Sequence, residues 1–478
     1  MKILNFELKI EKLTLLSFLS IIGVSFVLFY PSLNYYFFQD DWFVLNWVRS
    51  GDLQSFFGFR TDIIYWRPLS MPLLFAFLKT IFGLNYQLYH AFAFSILIVL
   101  SIAVYNLFLI LTDSKKQSLI ASFIYTTWPI HYISLSWLST TSYLIGPLFQ
   151  CLSFIFFLKY QESKKFINKI STYLFFLLGL MSSEFTLVLP VIFLTWTMFF
   201  KKRKTSVIFF LPMFLIVIIY FFLRFVAFPV PASGTYTPVF NEKIAYNFLW
   251  YILWAFGLPE SFKSLIFPNL PDQSLKVITQ FWSITLPTTI LAILVAYQTI
   301  THLKNKLPLV FGFFWLAIGL LPVITVTNHS YPMYLSFAGL GFIFAVVTVF
   351  KNAKTKAVIT LLLLWSIISI TNLHFTRLTH WVKNEQAISK SYVNYTMNKL
   401  SKPEPNTVFV FKPANAKFAS EHNFVLVEGE ETLKLSLNDQ SAMQLIYNDP
   451  TIKSIYETNS RKVSFPPETQ IFEIWPSL

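Results

Sequence analysis

Cysteine is almost absent from this sequence: the single residue, Cys151, lies within an apolar run of the 478-residue chain. A lone cysteine excludes an internal disulfide framework and a cysteine-ligated metal site. Charge is also scarce, since charged residues make up 13% of the chain and only 23 residues are acidic. The sequence contains neither a glycine-rich phosphate-binding motif nor an internal repeat, which excludes a P-loop nucleotide site and a repeat architecture.

Apolar residues dominate the composition instead. Hydrophobic residues account for 55% of the chain, and they are arranged in long continuous runs. This pattern is typical of an integral membrane protein with helical spans. The net charge of +14 comes from cations that are mostly clustered between these runs. Because such clusters are typical of cytoplasmic loops that face anionic headgroups, nucleic acid is not expected as a partner.

Eleven membrane spans are predicted, because crossing the hydrocarbon core as a helix takes about 20 apolar residues. Two further apolar segments, Leu69 to Phe82 and Ile244 to Leu258, are interpreted as external interfacial or re-entrant helices. Counting either one as a span would place later cation clusters outside, against the positive-inside rule. The predicted spans are 10–30, 87–111, 117–134, 141–159, 167–183, 185–200, 205–228, 279–300, 307–325, 334–350 and 355–373.

This topology places the N-terminus, with Lys2, Lys9 and Lys12, in the cytoplasm. All cation clusters between spans then fall on the inner side. They are Lys115-Lys116, Lys159 to Lys169, Lys201-Lys202-Arg203-Lys204, Lys304 with Lys306, and Lys351 with Lys354 and Lys356.

The composition changes after residue 373, where apolar density falls and charges of both signs appear. Thr407 to Phe411 and Phe424 to Val427 are predicted strands, and Gln440 to Tyr447 is a predicted helix. We therefore predict an all-α polytopic membrane domain over 1–373, with an external loop at 31–86. A small extracytoplasmic α/β or α+β domain is predicted over 374–478, and acceptor binding by this domain is a hypothesis.

Polar residues gather on the predicted external face. Asp40 and Asp41 directly follow the first span, and a carboxylate pair beside a membrane is costly to desolvate. The pair could act as a general base, a metal ligand or a docking point for a cation. A carboxylate, a guanidinium and imidazoles at one interface indicate a site that handles an anionic headgroup and a proton. The other residues of this predicted site are Trp66, Arg67, His131, Trp137, Glu184, His329 and Tyr334.

Each of these residues also has a structural interpretation. The aspartates could cap a helix that begins near Trp42, and Arg67 could extend to phospholipid headgroups. His131 could be a hydrogen-bonded interfacial histidine, and Glu184 could form an ion pair. His329 and Tyr334 could belong to an aromatic belt.

The motifs in combination resemble the GT-C superfamily of membrane glycosyltransferases. Within it, they are most similar to the membrane part of the O-mannosyltransferases that carry tetratricopeptide repeats, and to their bacterial relatives. The resemblance covers residues 10–350. It is carried by Asp40-Asp41, Tyr65-Trp66-Arg67-Pro68-Leu69, Phe82-Gly83-Leu84-Asn85, Trp128-Pro129-Ile130-His131, Ser136-Trp137-Leu138-Ser139, Ser182-Ser183-Glu184, and Trp315 through Leu321-Pro322 to Tyr334-Leu335.

The chain departs from that family at three points. It has Ser182-Ser183-Glu184 where the family usually has Ser-Lys-Glu, so one cation is missing. It has Asn328-His329-Ser330-Tyr331 where the family usually has a Glu-Arg pair shortly before the tyrosine matched by Tyr334. The third departure is that no tetratricopeptide array follows.

The resemblance implies transfer of a hexose, with mannose as one option, from a polyprenyl-phosphate donor to a glycan, lipid or protein acceptor. Transfer would invert the anomeric centre on the extracytoplasmic face, and we expect the plasma membrane of a bacterium. By resemblance Asp40 is favoured as the general base, with Asp41 as second choice or helper. Arg67, helped by His131 or His329, would stabilise the leaving phosphate. No cofactor is expected, although two Asp and a Glu would suit Mg²⁺ or Mn²⁺.

Two other classes of protein compete with this interpretation. A polytopic transporter or lipid flippase would place ionisable residues near span centres and would show inverted repeats. A glycan polymerase or ligase of another family would use a late external loop, and nothing in it requires an Asp pair after the first span. The position of the charges at the external ends of the spans favours the glycosyltransferase.

Overall fold

The long apolar runs fold into helices in the computed structural model, which describes residues 12–200, 205–230, 234–266, 278–302, 305–427, 429–456 and 470–477. Among these residues, six helices are long and apolar enough to cross a membrane: Thr14–Asn34, Tyr86–Thr112, Leu138–Ser163, Trp282–Thr301, Pro332–Val349 and Thr355–Thr379. Five shorter apolar helices accompany them: Leu69–Phe82, Phe166–Leu180, Glu184–Phe200, Leu211–Ala227 and Leu307–Gly319. The predicted class, a polytopic helical membrane protein, is confirmed. The cations predicted to be cytoplasmic at Lys2, Lys9, Lys201–Lys204 and Lys304 lie outside the described residues.

The first part of the chain forms α1 to α11 with 3₁₀ and π turns between them. The α-helices are α1 (Lys12–Phe29), α2 (Asp40–Ser50), α3 (Leu53–Phe57), α4 (Leu74–Phe82), α5 (Tyr86–Thr112), α6 (Lys115–Thr126), α7 (His131–Ser136), α8 (Ser142–Ser163), α9 (Phe166–Leu180), α10 (Leu189–Phe200) and α11 (Leu211–Phe222). The 3₁₀ turns are Tyr30–Asn34, Leu138–Thr141, Glu184–Val188 and Val207–Phe209, and the π turns are Leu69–Leu73 and Leu223–Ala227.

Between position 230 and the first strand of the C-terminal domain, the described residues form seven α-helices. They are α12 (Lys243–Ala255), α13 (Phe262–Ile266), α14 (Trp282–His302), α15 (Leu307–Gly319), α16 (Leu335–Val349), α17 (Thr355–Thr379) and α18 (Trp381–Lys399), and 3₁₀ turns occupy Gly234–Tyr236 and Pro332–Tyr334. Helix α17 continues beyond residue 373, the predicted end of the last span, and is followed directly by α18.

The third predicted span, 117–134, is wrong in length. Helix α6 has 12 residues and ends at Thr126, and Pro129 precedes the separate short helix α7. Proline has no backbone N–H and disfavours helical geometry in the residue before it, so the helix does not continue through Trp128-Pro129. A helix of this length extends about 18 Å, which is short of the hydrocarbon thickness.

The two segments interpreted as interfacial both form short helices. In α4, Phe75 and Leu78 are buried whereas Phe77 and Ile81 are exposed, so this helix has one apolar face turned outward. Helix α12 instead buries an aromatic face, which includes Trp250, Tyr251 and Trp254.

Glycines allow α15 and α16 to approach closely. A Cβ atom added to Gly312 would lie 2.5 Å from the carbonyl oxygen of Gly341, so a side chain there has no space. Small residues commonly permit such close packing between membrane helices. This contact fixes both ends of the segment 320–334, which carries two residues of the predicted site.

The small C-terminal domain contains a three-stranded parallel sheet in the order β2-β1-β3. The strands are β1 (Val408–Phe411), β2 (Lys453–Tyr456) and β3 (Ile471–Ile474), and β1 is buried along its whole length, as expected for a central strand. Helices α19 (Ala416–Glu421), α20 (Glu430–Leu437) and α21 (Ser441–Ile446) lie between β1 and β2. The first predicted strand and the predicted helix are confirmed, whereas Phe424–Val427 is irregular and the prediction of a strand there is wrong.

Candidate functional site

A cavity of about 580 Å³ lies between the segment 31–86, the start of α8, the turn at Glu184, helix α11 and the segment 320–334. Its walls are of two kinds. One end is polar and carries charged and phenolic side chains: Asp40, Tyr65, Arg67, Tyr143, Glu184, Tyr220, Arg224, Tyr236, His329 and Tyr334. The remaining wall is an apolar groove formed by α10, α11 and the segment after α15, with Leu187, Val191, Val217, Phe221, Phe225 and Leu321. The cavity can therefore receive a molecule with a polar head and an apolar tail.

The two adjacent aspartates have different environments. Asp40 lines the cavity, whereas Asp41 is completely buried beside it. Both lie in the first turn of α2, where successive side chains point about 100° apart and the helix dipole favours negative charge. Asp41 Oδ1 accepts hydrogen bonds from the backbone N–H of Ser139 at 2.7 Å and from its hydroxyl at 2.5 Å. Asp41 thus fastens the start of α2 to the 3₁₀ turn before α8, and Asp40 remains open to the cavity.

Burial shifts the pKa of both carboxyls upward. It raises the pKa of Asp40 to about 6, against the opposing effect of the positive charge of Arg67. Burial also raises the pKa of Asp41 to about 7, although the hydrogen bonds from Ser139 and from Phe38 N–H oppose it. A carboxylate with a pKa near 6 is largely ionised at neutral pH and still accepts a proton readily, as a general base must.

Arg67 is enclosed by hydrogen-bond acceptors. Its Nε donates to Glu184 Oε2 at 2.7 Å and its Nη2 to Glu184 Oε1 at 2.5 Å, a bidentate ion pair. Nη1 donates to the hydroxyl of Ser142 at 3.0 Å, and Nη2 also donates to the hydroxyl of Tyr143 at 2.9 Å. The ring of Tyr65 lies 4.6 Å from the guanidinium carbon. Glu184 therefore balances the charge of Arg67 and leaves it little capacity for another anion.

Two hydrogen bonds to backbone carbonyls explain why Arg67 and Glu184 meet although they are far apart in sequence. Leu69 N–H donates to the carbonyl of Met181 at 2.9 Å, and the Ser70 hydroxyl donates to the carbonyl of Ser182 at 2.7 Å. The segment 31–86 is thereby attached to the turn that precedes Glu184.

Arg224 is a second cation at the polar end, and the sequence analysis missed it. It lies in the π turn after α11 and is only 4% exposed. Its Nη1 donates to the carbonyl of Arg60 at 2.8 Å and its Nη2 to the carbonyl of Ile63 at 2.5 Å. Within the described part of the chain no carboxylate lies within ion-pair distance of it. The available signal was that Arg224 is the single charged residue of the predicted span 205–228, since ionisable residues within spans commonly mark functional sites.

His329 and Tyr334 form a further part of the polar wall. The Tyr334 hydroxyl lies 2.7 Å from Nδ1 of His329, and the ring of Tyr236 lies 4.2 Å from the imidazole. Burial lowers the pKa of His329 to about 4, so the imidazole is neutral at pH 7. Tyr236 and Tyr65 line this cavity without having been predicted as site residues. The signal for Tyr65 was its place in the motif Tyr65-Trp66-Arg67-Pro68-Leu69, whereas Tyr236 stood in no motif.

The structure brings most of the predicted residues together. Asp40, Arg67, Trp137, Glu184, His329 and Tyr334 line the cavity, whereas Asp41, Trp66 and His131 do not. His131 is buried in α7, where its Nε2 lies 2.9 Å from the carbonyl of Tyr125 and burial lowers its pKa to about 4. Trp66 stacks on Phe59 with ring centroids 5.0 Å apart. The position of His131 therefore gives no support to the prediction that it helps to stabilise the leaving phosphate.

The metal-ligand set considered from the sequence is not assembled. Both oxygens of Glu184 accept from Arg67, and Asp41 is turned away from the cavity. Over the described ranges, no group of three or more His, Cys, Asp or Glu side chains is placed to hold a metal ion.

Comparisons with known proteins add little to this description. No protein-family model and no curated protein matches the sequence. Among solved structures, the fold is similar to that of the oligosaccharyltransferase of Archaeoglobus fulgidus in complex with Zn and sulfate, with a TM-score of 0.46 and 13% sequence identity. The match covers 83% of this chain and 60% of that chain, so this chain spans less than two thirds of the length of that enzyme. A likeness of this degree identifies neither a substrate nor a catalytic residue.

Proposed function

We propose that this protein is a membrane glycosyltransferase that moves a hexose from a polyprenyl-phosphate donor to an acceptor hydroxyl on the extracytoplasmic face. One observation carries the proposal. A single cavity combines an apolar groove, a cation without a carboxylate partner among the described residues, and a carboxylate of raised pKa. These are the three features that a lipid-linked sugar phosphate and its transfer require.

The donor fits the two kinds of wall. Its first isoprene units would lie along the groove formed by Val191, Val217 and Phe221, and its sugar phosphate would lie at the polar end. A cavity of about 580 Å³ is within the usual range for sites that bind small molecules or cofactors.

The charge at the polar end suits one phosphate group. A phosphodiester carries one negative charge, and Arg224 supplies one positive charge that makes no direct ion pair within the described residues, although the Glu184 carboxylate acts on it through space. Two N–H groups of Arg224 are engaged by the carbonyls of Arg60 and Ile63, and a guanidinium has five. We therefore assign phosphate binding to Arg224. The Arg67–Glu184 pair has a structural role in this proposal, as part of the cavity wall.

The transfer step follows from this placement. The acceptor oxygen attacks the anomeric carbon while its proton passes to the carboxylate of Asp40. The bond between the anomeric carbon and the phosphate oxygen breaks, and its electron pair stays on that oxygen. The leaving polyprenyl phosphate becomes a dianion, and the charge of Arg224 and the polar contacts of the neutral His329 stabilise it. A single displacement inverts the anomeric centre.

The identity of the sugar and of the acceptor rests on the resemblance alone. Mannose and a protein, glycan or lipid acceptor remain expectations. A lipid flippase would also use a cavity with polar and apolar walls, but it would have no need of a general base beside the headgroup.

The experiment that tests the proposal uses the full chain in proteoliposomes with radiolabelled polyprenyl-phosphate hexoses. Asp40→Asn should lower transfer by about a hundredfold to ten-thousandfold, the usual contribution of a general base. Asp113→Asn is the matched control, because Asp113 is exposed and has a left-handed conformation that asparagine tolerates. Undiminished transfer by Asp40→Asn would refute the role of Asp40. Translocation of the donor without sugar transfer by the wild type would support the flippase instead.

A further inference from the structure

Gln39, the residue that precedes Asp40, has an unusual backbone conformation. Its φ and ψ angles are 48° and −125°. Gly83 has nearly the same conformation, with 57° and −127°, and there the residue is a glycine. A residue with a Cβ atom is strained in this region and remains there only if its surroundings hold it.

The small C-terminal domain supplies what holds Gln39. The backbone N–H of Gln39 donates to the carbonyl of Ser436 in α20 at 3.1 Å, and the side chain of Gln39 lies close to the carboxylate of Glu385 in α18. The hydroxyl of Ser436 in turn donates to the carboxylate of Glu385. Ser436 is fully buried and Glu385 is 8% exposed, so water does not compete for these contacts.

The same domain also holds the chain on both sides of Asp40. Before it, the backbone N–H of Tyr36 donates to Gln386 at 3.1 Å. After it, the indole N–H of Trp42 donates to Ser389 at 2.8 Å. Further along α2, the amide of Asn46 donates to Gln444 of α21 at 2.9 Å. The attachment therefore extends over three helices of the small domain.

We propose that the C-terminal domain is a positioning part of the catalytic centre. The Glu385–Ser436 pair holds Gln39 in its strained conformation, and this conformation directs Asp40 into the cavity. Helix α2 begins at Asp40, so a return of Gln39 to an ordinary conformation would change the direction in which the helix starts and would turn the carboxylate away. This role replaces acceptor binding as the main task of residues 374–478, and it rests on the proposed function in that Asp40 is taken as the base.

A first test needs no substrate. Asp40→Cys in the full chain reports how open position 40 is to a small water-soluble thiol reagent, and the single native cysteine, Cys151, is fully buried. Adding Glu385→Ala should lower the labelling rate at position 40 about tenfold, because the side chain there then turns away from the cavity. Relief of backbone strain of this kind shifts the population by about that factor. Glu421→Ala, an exposed glutamate of the same domain, is the control and should leave the rate unchanged. Equal rates with and without Glu385→Ala would overturn the proposal.

A second test measures transfer. Glu385→Ala should lower kcat by about a hundredfold, as a small misplacement of a reacting group does, and should leave the KM for the donor nearly unchanged. Glu385→Gln, which keeps a hydrogen-bonding group, should restore most of the activity. Gln39→Gly combined with Glu385→Ala should also regain activity, because glycine adopts the required conformation without being held. A double variant as inactive as Glu385→Ala would mean that Glu385 acts only through the stability of its domain.

The outcome of Asp40→Asn separates this inference from the proposed function. If Asp40→Asn is inactive and Glu385→Ala is fully active, the glycosyltransferase stands and the positioning role fails. If Asp40→Asn transfers sugar as fast as the wild type, the role of Asp40 as the base fails and this inference fails with it, whatever the labelling rates show. If the wild type transfers no sugar, the proposed function itself fails.

A third test asks whether the domain must move. Asn46→Cys and Gln444→Cys place two thiols where a hydrogen bond now joins α2 to α21, and a short bismaleimide can link them. A domain that positions α2 should permit transfer when it is linked. Loss of transfer on linking, with activity intact in the unlinked double variant, would indicate a mobile acceptor domain and would overturn the proposal.

Discussion

Glu184 balances the charge of Arg67 through two hydrogen bonds, of 2.7 Å from Nε and 2.5 Å from Nη2, whereas the hydrogen bonds of Arg224 in the same cavity go to the backbone carbonyls of Arg60 and Ile63. The two arginines therefore differ in how their charges are compensated. Arg67 is part of a buried ion pair that joins the segment 31–86 to the turn at Glu184. We propose that Arg224 keeps its charge for a ligand.

Replacement of Arg224 should weaken donor binding. Arg224→Gln removes the positive charge that we assign to the donor phosphate, and a hydrogen bond to a charged group contributes about 1.5–3 kcal/mol. The KM for the polyprenyl-phosphate hexose should therefore rise by about tenfold to a hundredfold. Lys243→Gln, at an exposed lysine outside the cavity lining, is the control. An unchanged KM in Arg224→Gln would remove Arg224 from the phosphate site.

Replacement of either member of the Arg67–Glu184 pair should instead destabilise the protein. Removing one partner of a buried ion pair leaves an uncompensated charge and costs about 3–5 kcal/mol; because the Glu184 side chain is 23% exposed, we expect the lower end of that range. Arg67→Met and Glu184→Gln should lower the unfolding temperature in detergent. The double variant Arg67→Met/Glu184→Met should recover part of that loss, since neither charge is then left alone. A double variant less stable than both single ones would contradict this account.

Asp41 should contribute to stability rather than to chemistry. Asp41→Leu removes the acceptor of the two hydrogen bonds from Ser139 and should cost about 1–3 kcal/mol, the penalty for an unpaired buried group. Asp41→Asn keeps a carbonyl oxygen there and should be milder. Thermal unfolding gives the order of the variants, and transfer per folded molecule should stay far above that of Asp40→Asn. If Asp41→Asn were as inactive as Asp40→Asn, Asp41 would have to be restored as a candidate base.

Several features of the site could be predicted from the sequence because they follow from topology. Asp40, Arg67 and Glu184 were placed on one face by the alternation of spans and cation clusters, and the structure brings them to one cavity. The difference between Asp40 and Asp41 could not be predicted, because it depends on their angular separation on α2 and on contacts with Ser139, which is distant in sequence. Arg224 was missed because it lay within a segment interpreted only as a membrane span.

In the small domain, too, contacts between segments that are distant in sequence could not be predicted. Strand β1 is an apolar run and was predicted, whereas β2 and β3, which are equally short, carry polar or exposed side chains. Their pairing with β1 is a long-range contact, and no local pattern specifies it. For the same reason the contact between Gln39 and Ser436, on which the positioning role depends, has no signature in the sequence.

The pH dependence of transfer should follow the ionisation of Asp40. Its pKa is raised to about 6, so the group is protonated below that pH and cannot accept a proton from the acceptor hydroxyl. Transfer should therefore fall as the pH decreases through about 6 and should reach a plateau above it. Rates at saturating donor, measured between acidic and mildly alkaline pH, test this. A rate that rises as the pH falls through this range would exclude Asp40 as the base.

The orientation of the protein can be tested with two lysines at opposite ends of the bundle. Helix α8 begins with Ser142 and Tyr143 beside the cavity and ends at Ser163, and its 22 residues extend about 33 Å. Lys165, just beyond that end, should be cytoplasmic by the positive-inside rule, whereas Lys243 at the start of α12 should be external. Both are exposed. A membrane-impermeant thiol reagent should label Lys243→Cys in intact cells and Lys165→Cys only after permeabilisation. The reverse pattern would place the cavity on the cytoplasmic side and would exclude transfer on the extracytoplasmic face.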